Sequence, residues 1–124
     1  MDTNMADNKA QQQEPSGAEK MFGDFAPGLV HFTDDALFGD AWKRPELSPR
    51  DSSLITVAAL TTGGNAEQLT FHLQYAKDNG VTEEELIEAI THLAFYAGWP
   101  NAMTAITTLK TIIEQAEESP KTSA

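Results

Sequence analysis

Residues 65–100, NAEQLTFHLQYAKDNGVTEEELIEAITHLAFYAGWP, decide which fold this chain is predicted to adopt. The stretch contains two helix starts, a variant capping box at residues 65–68 (NAEQ) and a full capping box at residues 82–85 (TEEE). Between them, Asn79-Gly80 places a glycine where helices commonly end in the left-handed conformation. We therefore predict two consecutive helices joined by a tight turn, with one histidine on each.

Apolar residues at helical spacing extend this prediction to both sides of the stretch. Ser48 precedes Pro49, which is typical of a helix start, and the helix that follows is apolar nearly all round until residues 63–64 (Gly-Gly). A further helix follows the break at residues 98–100, and a shorter helix is predicted near residues 28–42. No segment shows the alternation of a strand, so we predict an all-α domain with about five helices.

The two ends of the chain carry few apolar residues. Residues 1–20 contain almost nothing that a core could bury, so we expect a disordered N-terminal arm there. Residues 117–124 are predicted to form a flexible tail for the same reason. The compact helical domain is therefore expected to span residues 21–116, with a core of modest size.

The charge and the composition argue against several classes of function. The net charge of −11 offers no basic patch for nucleic acid and disfavours an anionic membrane surface. The chain has no cysteine, so neither a disulfide nor thiol chemistry is available. No apolar run approaches the roughly 20 residues that a bilayer requires, and the acidic N-terminal segment is unlike a signal peptide. We therefore expect a cytoplasmic protein.

The helices predicted at residues 83–97 and 100–116 carry apolar residues on more than one stripe. A domain of this size cannot cover that much apolar surface by itself. Burial of helix faces between subunits would cover it, so we expect a homo-oligomer.

Few of the familiar catalytic or ligand-binding patterns occur in the sequence. There is no glycine-rich phosphate loop and no GxSxG nucleophile motif. A metal site needs three or more converging ligands. Glu88 and His92 share a helix face, as do Gln68 and His72, but the Glu-x-x-His spacing of di-iron bundles is absent. We therefore predict no metal site.

A cluster of polar residues remains as the candidate for chemistry. Glu88, His92 and Tyr96 follow one another at four-residue steps on one predicted helix, and Glu67 and His72 lie on the helix before it. The tight turn between these helices predicts antiparallel neighbours, so that His72 and His92 would face one cavity. The alternative is that each histidine is a hydrogen-bonded residue of the core.

Two segments resemble a known family of proteins. Residues 42–51, WKRPELSPRD, are similar to the pattern W-x-R-P-x-L-S-x-R-D, and residues 67–102 are similar to the signature E-x-L-x-x-H-x-x-x-A-x-x-N-G-V-T-x-E-E-I-x-E with its closing H-L-A-x-Y-A-G-x-P-x-A. These are motifs of the carboxymuconolactone decarboxylase family, which is related to alkylhydroperoxidase D. The resemblance covers roughly residues 22–115.

The resemblance implies a fold and an activity. Family members are all-helical and form trimers or hexamers, and the founding activity is the decarboxylation of 4-carboxymuconolactone to an enol-lactone in aromatic catabolism. The related peroxidases use a C-x-x-C pair with a histidine four residues later. His72 matches that histidine, whereas Asn65 and Gln68 stand where the two cysteines would be. Peroxide reduction through a thiolate is therefore excluded for this chain.

The resemblance also suggests roles for individual residues in a cofactor-free decarboxylase. We expect His72 to act as the general acid, with Glu67 or another acid orienting it. His92 and Tyr96 are expected to donate hydrogen bonds to the lactone of the substrate.

The substrate carboxylate is expected to pair with Arg50 or Arg44, although Arg50 also suits a surface position in a first helical turn. Ser52 stands where the family often has a second arginine, which favours a less charged substrate. Two other functions stay open on the same fold. One is an isomerase or oxidoreductase acting on a small carbonyl or quinone-like compound, and the other is an oligomeric binding protein without catalysis.

Overall fold

The computed structural model of the chain describes residues 15–118, which form helices and turns without a strand. The prediction of an all-α fold is confirmed for this range. The structure divides into two units at residues 45 and 46. The predictions of disorder for residues 1–14 and of a flexible tail for residues 119–124 lie outside the described residues.

The N-terminal unit consists of short helical segments. Helix α1 spans Gly17–Phe22, and helix α2 spans Pro27–His31 and runs into a π-helix at Phe32–Phe38. A 3₁₀ turn at Ala41–Lys43 follows. The single helix predicted near residues 28–42 is therefore divided, since Gly39 and its neighbour separate the π-helix from the turn and glycine weakens a helix interior.

Helix α1 begins inside the segment for which the sequence predicts disorder. The Ser16 side chain accepts a hydrogen bond from the Glu19 backbone N–H at 3.0 Å and thereby caps the helix. The Ser16 hydroxyl also donates to the Asp34 carboxylate at 2.9 Å. Local capping therefore forms a helical turn here without any buried apolar residue of its own.

The C-terminal unit contains four longer helices. Helix α3 spans Pro49–Gly63, α4 spans Ala66–Asp78, α5 spans Glu83–Ala97 and α6 spans Trp99–Glu118. Helix α6 therefore extends two residues beyond the predicted end of the domain. The four helices correspond to the four that the sequence predicts for this part of the chain.

Most of the predicted helix starts form as expected. Ser48 caps α3 by accepting from the Asp51 N–H, and at α5 the Glu85 N–H donates to the Thr82 hydroxyl at 3.1 Å while the Thr82 N–H donates to the Glu85 carboxylate at 2.9 Å. The variant capping box predicted at α4 is wrong, because the Asn65 side chain makes no capping hydrogen bond. Gly64, with φ of 69°, takes the left-handed conformation after α3.

The order of the helices around the bundle is α3, α4, α6, α5. Helix α3 packs against α4 and α5, and α6 packs against α4 and α5 and also touches α3. Arg50 pairs with Glu85 at the starts of α3 and α5, and the Asn101 amide donates to the Thr62 carbonyl where α3 ends and α6 begins. Successive helices are thus antiparallel, while α3 is parallel to α5.

The prediction that α4 and α5 are antiparallel neighbours is wrong, because they occupy opposite corners of the bundle. The short connection restricts only the two helix ends that it joins. Val81 in this connection is buried and its N–H donates to the Ala76 carbonyl at 2.9 Å, so the chain crosses the end of the bundle. The buried stripe of α4 is thereby free to pack against α3 and α6.

The core of the C-terminal unit is one apolar cluster to which all four helices contribute. Its members are Val57, Leu69, Leu73, Ala76, Val81, Leu86, Ile90, Ala94, Ala102, Ala105, Leu109 and Ile112. The largest fully buried side chains come from α4, α5 and α6, which explains why each of these helices is amphipathic.

We predict that Thr82→Ala lowers the free energy of unfolding by about 1 kcal/mol, because the cap of α5 loses its side-chain acceptor. The matched control is Thr91→Ala, which removes an exposed hydroxyl that donates to the Ile87 carbonyl within the same helix. Urea unfolding of both variants measures the difference. Equal free energies of unfolding for the two variants would show that the capping box does not stabilise the fold.

Candidate functional site

His72 lies near the middle of α4 and is half-buried. Its ring is edge-on to Phe71, with centroids 4.9 Å apart, and lies 6.2 Å from the ring of Tyr75. The Phe71 and Tyr75 rings stack on each other at 5.3 Å. Burial lowers the pKa of His72 below the ordinary value of 6.5, since the charged imidazolium loses hydration there. A neutral imidazole is therefore its dominant form at pH 7.

Glu67 is exposed in the first turn of the same helix. A separation of five residues places it roughly 140° around the helix from His72, by the helical rotation of about 100° per residue. The two side chains consequently point from different faces of α4. Contacts within α4 alone therefore do not allow Glu67 to orient the His72 ring.

His92 and Tyr96 lie one turn apart on α5, with ring centroids separated by 5.1 Å. Both are exposed, and the Tyr96 residue is 78% accessible. Glu88 is also exposed on this helix. The stripe predicted from the four-residue spacing therefore exists, and it faces solvent in the single chain.

The structure does not give His72 and His92 the shared cavity that adjacent antiparallel helices would create. Their helices, α4 and α5, are at opposite corners of the bundle. His92 stands on the outer surface of α5, whereas His72 is half-buried among the aromatic rings of α4. The two histidines of one chain thus belong to different faces.

Arg50 is held at the charged end of the bundle. Its guanidinium pairs with Glu85 and lies 4.0 Å from Asp51. The backbone N–H of Thr82 and then the Arg50 guanidinium lower the pKa of Glu85. These contacts connect the start of α3 to the start of α5. Arg44 is exposed in the N-terminal unit, with extended backbone angles of −67° and 139°.

The distribution of charge within the C-terminal unit is a feature of the site that the motifs do not reveal. Residues 89–109 contain no Asp, Glu, Lys or Arg, and residues 52–66 and 68–76 contain none either. The starts of α3 and α5 and the ends of α4 and α6 carry the charged residues. The opposite end of the bundle is formed by the ends of α3 and α5 and the starts of α4 and α6. We call it the uncharged end.

Within residues 46–118, Glu67 is the one charged side chain at the uncharged end. The charge-free runs are visible in the sequence, but they converge only because successive helices are antiparallel.

A second feature also escaped prediction. The buried Ser53 hydroxyl accepts a hydrogen bond from the Asn79 amide at 3.0 Å, which joins α3 to the end of α4.

Neither metal ligation nor membrane insertion is indicated by the part of the chain that the structure describes. No three side chains of His, Asp or Glu in residues 15–118 are grouped as metal ligands would be. None of the helices in that range combines the length and apolarity needed to cross a bilayer.

A family model and two relatives match this chain over most of its length. The model of the carboxymuconolactone decarboxylase family matches residues 27–111. A 4-carboxymuconolactone decarboxylase from Acinetobacter baylyi is 37% identical over 83 residues, which cover 67% of this chain and 62% of the relative. The nitrosuccinic acid decarboxylase npaB from Metarhizium robertsii is 37% identical over 93 residues, covering 74% of this chain and 64% of the relative. The chain thus spans less than two thirds of the length of either relative.

We predict that protonation of His72 destabilises the fold on acidification. The pKa of His72 is lower in the folded state than in the unfolded state. Well above pH 6.5 the ring is neutral in both the folded and the unfolded chain. As the pH falls, the unfolded chain binds the proton first. The stability due to the neutral ring is therefore present above pH 6.5 and is lost as the pH falls towards the folded pKa. Urea unfolding between pH 7.5 and pH 5 compares the wild type with His72→Gln.

The wild type should lose more stability than His72→Gln across this interval, because the variant lacks the titrating ring. All carboxylates are present in both proteins, so their contribution cancels in the difference. Parallel pH dependences would contradict the burial of a neutral imidazole at position 72.

Proposed function

The chain belongs to the carboxymuconolactone decarboxylase family, and we propose that it is a cofactor-free decarboxylase of a small carboxylic acid. The two relatives, one named for 4-carboxymuconolactone and the other for nitrosuccinic acid, support this class of reaction. We further propose a cytoplasmic homo-oligomer, a trimer or hexamer, that acts in aromatic catabolism. The family resemblance supports these finer points.

The substrates named for the two relatives share a chemical property. In each, loss of carbon dioxide leaves an electron pair that can be delocalised onto oxygen, either that of an unsaturated lactone carbonyl or that of a nitro group. We therefore propose that the substrate of this chain carries such an electron-accepting group near the carboxylate that it loses. Ser52, at a position where the family often has arginine, favours a substrate with fewer negative charges.

The proposed reaction has two steps. The bond between carbon and the carboxylate breaks, carbon dioxide leaves, and the electron pair remains on the substrate as an oxyanion. A proton from the His72 imidazolium then reaches carbon, and solvent protonates the ring again. Oriented hydrogen-bond donors at such an oxyanion contribute about 2.7–4 kcal/mol each, and a positioned general acid contributes on the order of 10²–10⁴-fold in rate.

The environment of His72 is the observation that carries this proposal. The residue matches the histidine of the family motif, and its half-buried ring beside the stacked rings of Phe71 and Tyr75 has a lowered pKa. A lowered pKa makes the imidazolium a stronger acid, which favours proton transfer to carbon. The aromatic neighbours would also exclude water from a bound apolar ring.

The other predicted site residues keep proposed roles. His92 and Tyr96 would donate hydrogen bonds to the developing oxyanion. Glu67 or another acid would orient the proton donor; because Glu67 points from a different face of α4 than His72, it would do so only in the substrate-bound site. Arg50 or Arg44 stays the predicted partner of a substrate carboxylate. Arg50 would have to exchange its ion pair with Glu85 for one with the substrate.

We predict that His72→Ala lowers kcat/KM by on the order of 10²–10⁴-fold, because the proton donor is lost. The assay follows carbon dioxide release from a panel of lactone acids and 2-nitro acids. His31→Gln is the control, since His31 lies in the N-terminal unit and pairs with Asp35. Thermal unfolding at pH 7.5 checks that both variants remain folded. Full turnover by folded His72→Ala would exclude His72 as the acid.

The pH dependence of kcat/KM provides an independent prediction. The general acid is active only when protonated, and burial lowers the pKa of His72 below 6.5. The rate should therefore fall as the pH rises through a midpoint below 6.5, and the falling limb should be absent from the residual activity of His72→Gln. A rate that increases with pH over this range would instead indicate that the neutral ring is the active form.

A further inference from the structure

The outer surface of α5 and the start of α6 carry several large exposed apolar side chains. We call Phe95, Tyr96, Trp99 and Met103 the aromatic face; their exposed fractions are 75%, 78%, 58% and 58%. The Phe95 and Trp99 rings meet edge to face with centroids 5.4 Å apart. His92 extends this face through its contact with Tyr96.

The aromatic face is large enough to form much of an interface. Its three aromatic residues expose roughly 400–500 Å², if each ring residue has about 150–250 Å² of surface. Met103 and His92 enlarge it further. The largest apolar patch of a typical monomer is about 300–600 Å². A stable interface takes about 800 Å² from each partner. The aromatic face thus supplies more than half of the area that one partner contributes to a stable interface.

Charge identifies a second copy of this chain as the occupant. With a net charge of −11, two copies repel each other over most of their surfaces. The aromatic face lies within residues 89–109, which contain no charged side chain, so two copies can approach there without repulsion. A partner of opposite charge would have no counter-charge to recognise on this face.

The same chain carries a second uncharged surface with an exposed aromatic ring. Phe71 on α4 is 54% exposed and stacks on Tyr75 beside His72. Residues 68–76 carry no charge. Helices α4 and α5 occupy opposite corners of the bundle, so the aromatic face and the Phe71 surface of one chain do not pack against each other. A contact between these unlike surfaces is heterologous, and such contacts can close into rings.

We propose that the active site is shared between copies: the aromatic face of one copy covers the Phe71 surface of the next. His72 of one chain then meets His92 and Tyr96 of its neighbour across the substrate. This inference rests on the proposed function for the roles of these residues. It explains how His92 and Tyr96, exposed in one chain, come to work in a site from which water is excluded.

The absence of cysteine from the sequence allows a test of the contact that does not depend on activity. Phe71→Cys and Phe95→Cys are made in separately tagged full-length chains, mixed, allowed to exchange subunits and treated with a short bis-maleimide cross-linker. Ile55→Cys is the matched control, since Ile55 is an equally exposed apolar residue (56%) on α3. Circular dichroism confirms folding, and Met103→Cys replaces Phe95→Cys if that variant unfolds.

We expect cross-linked heterodimers from Phe71→Cys with Phe95→Cys, and at least tenfold less product from Ile55→Cys with Phe95→Cys. Cross-linking of Phe95→Cys only to itself would indicate that like faces meet, and would overturn the proposal. Equal products with both partners, or a monomer by light scattering with no product, would also overturn it.

Complementation tests whether the shared contact is the active site. His72→Ala and His92→Ala chains are co-expressed, and their mixed oligomers are assayed with the substrate that wild type turns over. In a random mixture with heterologous contacts, roughly a quarter of the sites combine an intact His72 with an intact His92 from the neighbour. Recovery of about that fraction of wild-type activity is expected.

No recovery in mixed oligomers of an active enzyme would overturn the shared site and leave the proposed decarboxylation intact. If wild type decarboxylates none of the acids tested, the proposed function fails while cross-linking still decides the contact. The two hypotheses are therefore separated by their readouts.

Discussion

The burial of one side of α4 is the constraint on which the arrangement of the C-terminal unit depends. Leu69 and Leu73 are fully buried, and each contributes about 1.5–3 kcal/mol relative to an exposed side chain. This stripe packs where α3 and α6 are both within reach, so α4 cannot also pack along α5. The connection that contains buried Val81 crosses the end of the bundle and permits this placement.

The diagonal placement of α4 and α5 separates the polar residues into two groups. His72 stands among the aromatic rings of α4, whereas His92 and Tyr96 stand on the outer surface of α5. The alternation of helix direction also gathers the charged residues at one end of the bundle. An uncharged aromatic surface on a strongly acidic protein results, and it gives the proposed site both its apolar walls and its neighbour.

Much of the fold follows from local signals in the sequence. The capping box of Thr82 and Glu85, the serine cap at Ser48 and the left-handed Gly64 act within a few residues, so they are independent of tertiary context. The predicted cap at Asn65 fails because its backbone, with φ of −89° and ψ of 73°, is not in the extended conformation typical of a capping residue, and residue type does not specify that conformation. The environment of His72 was predictable as apolar from its leucine neighbours, but its aromatic contacts and lowered pKa depend on the packed structure.

By itself, the sequence determined the approximate positions of the four helices in the C-terminal unit and the family, since these depend on periodicity, on glycine and serine signals at helix ends and on motif spacing. Only the tertiary structure decided which helices are neighbours. A turn such as residues 79–82 restrains two helix ends, but the direction in which the helices diverge is chosen by whichever partner buries the larger apolar area. That choice placed Arg50 against Glu85 and removed His92 from the His72 face of the same chain.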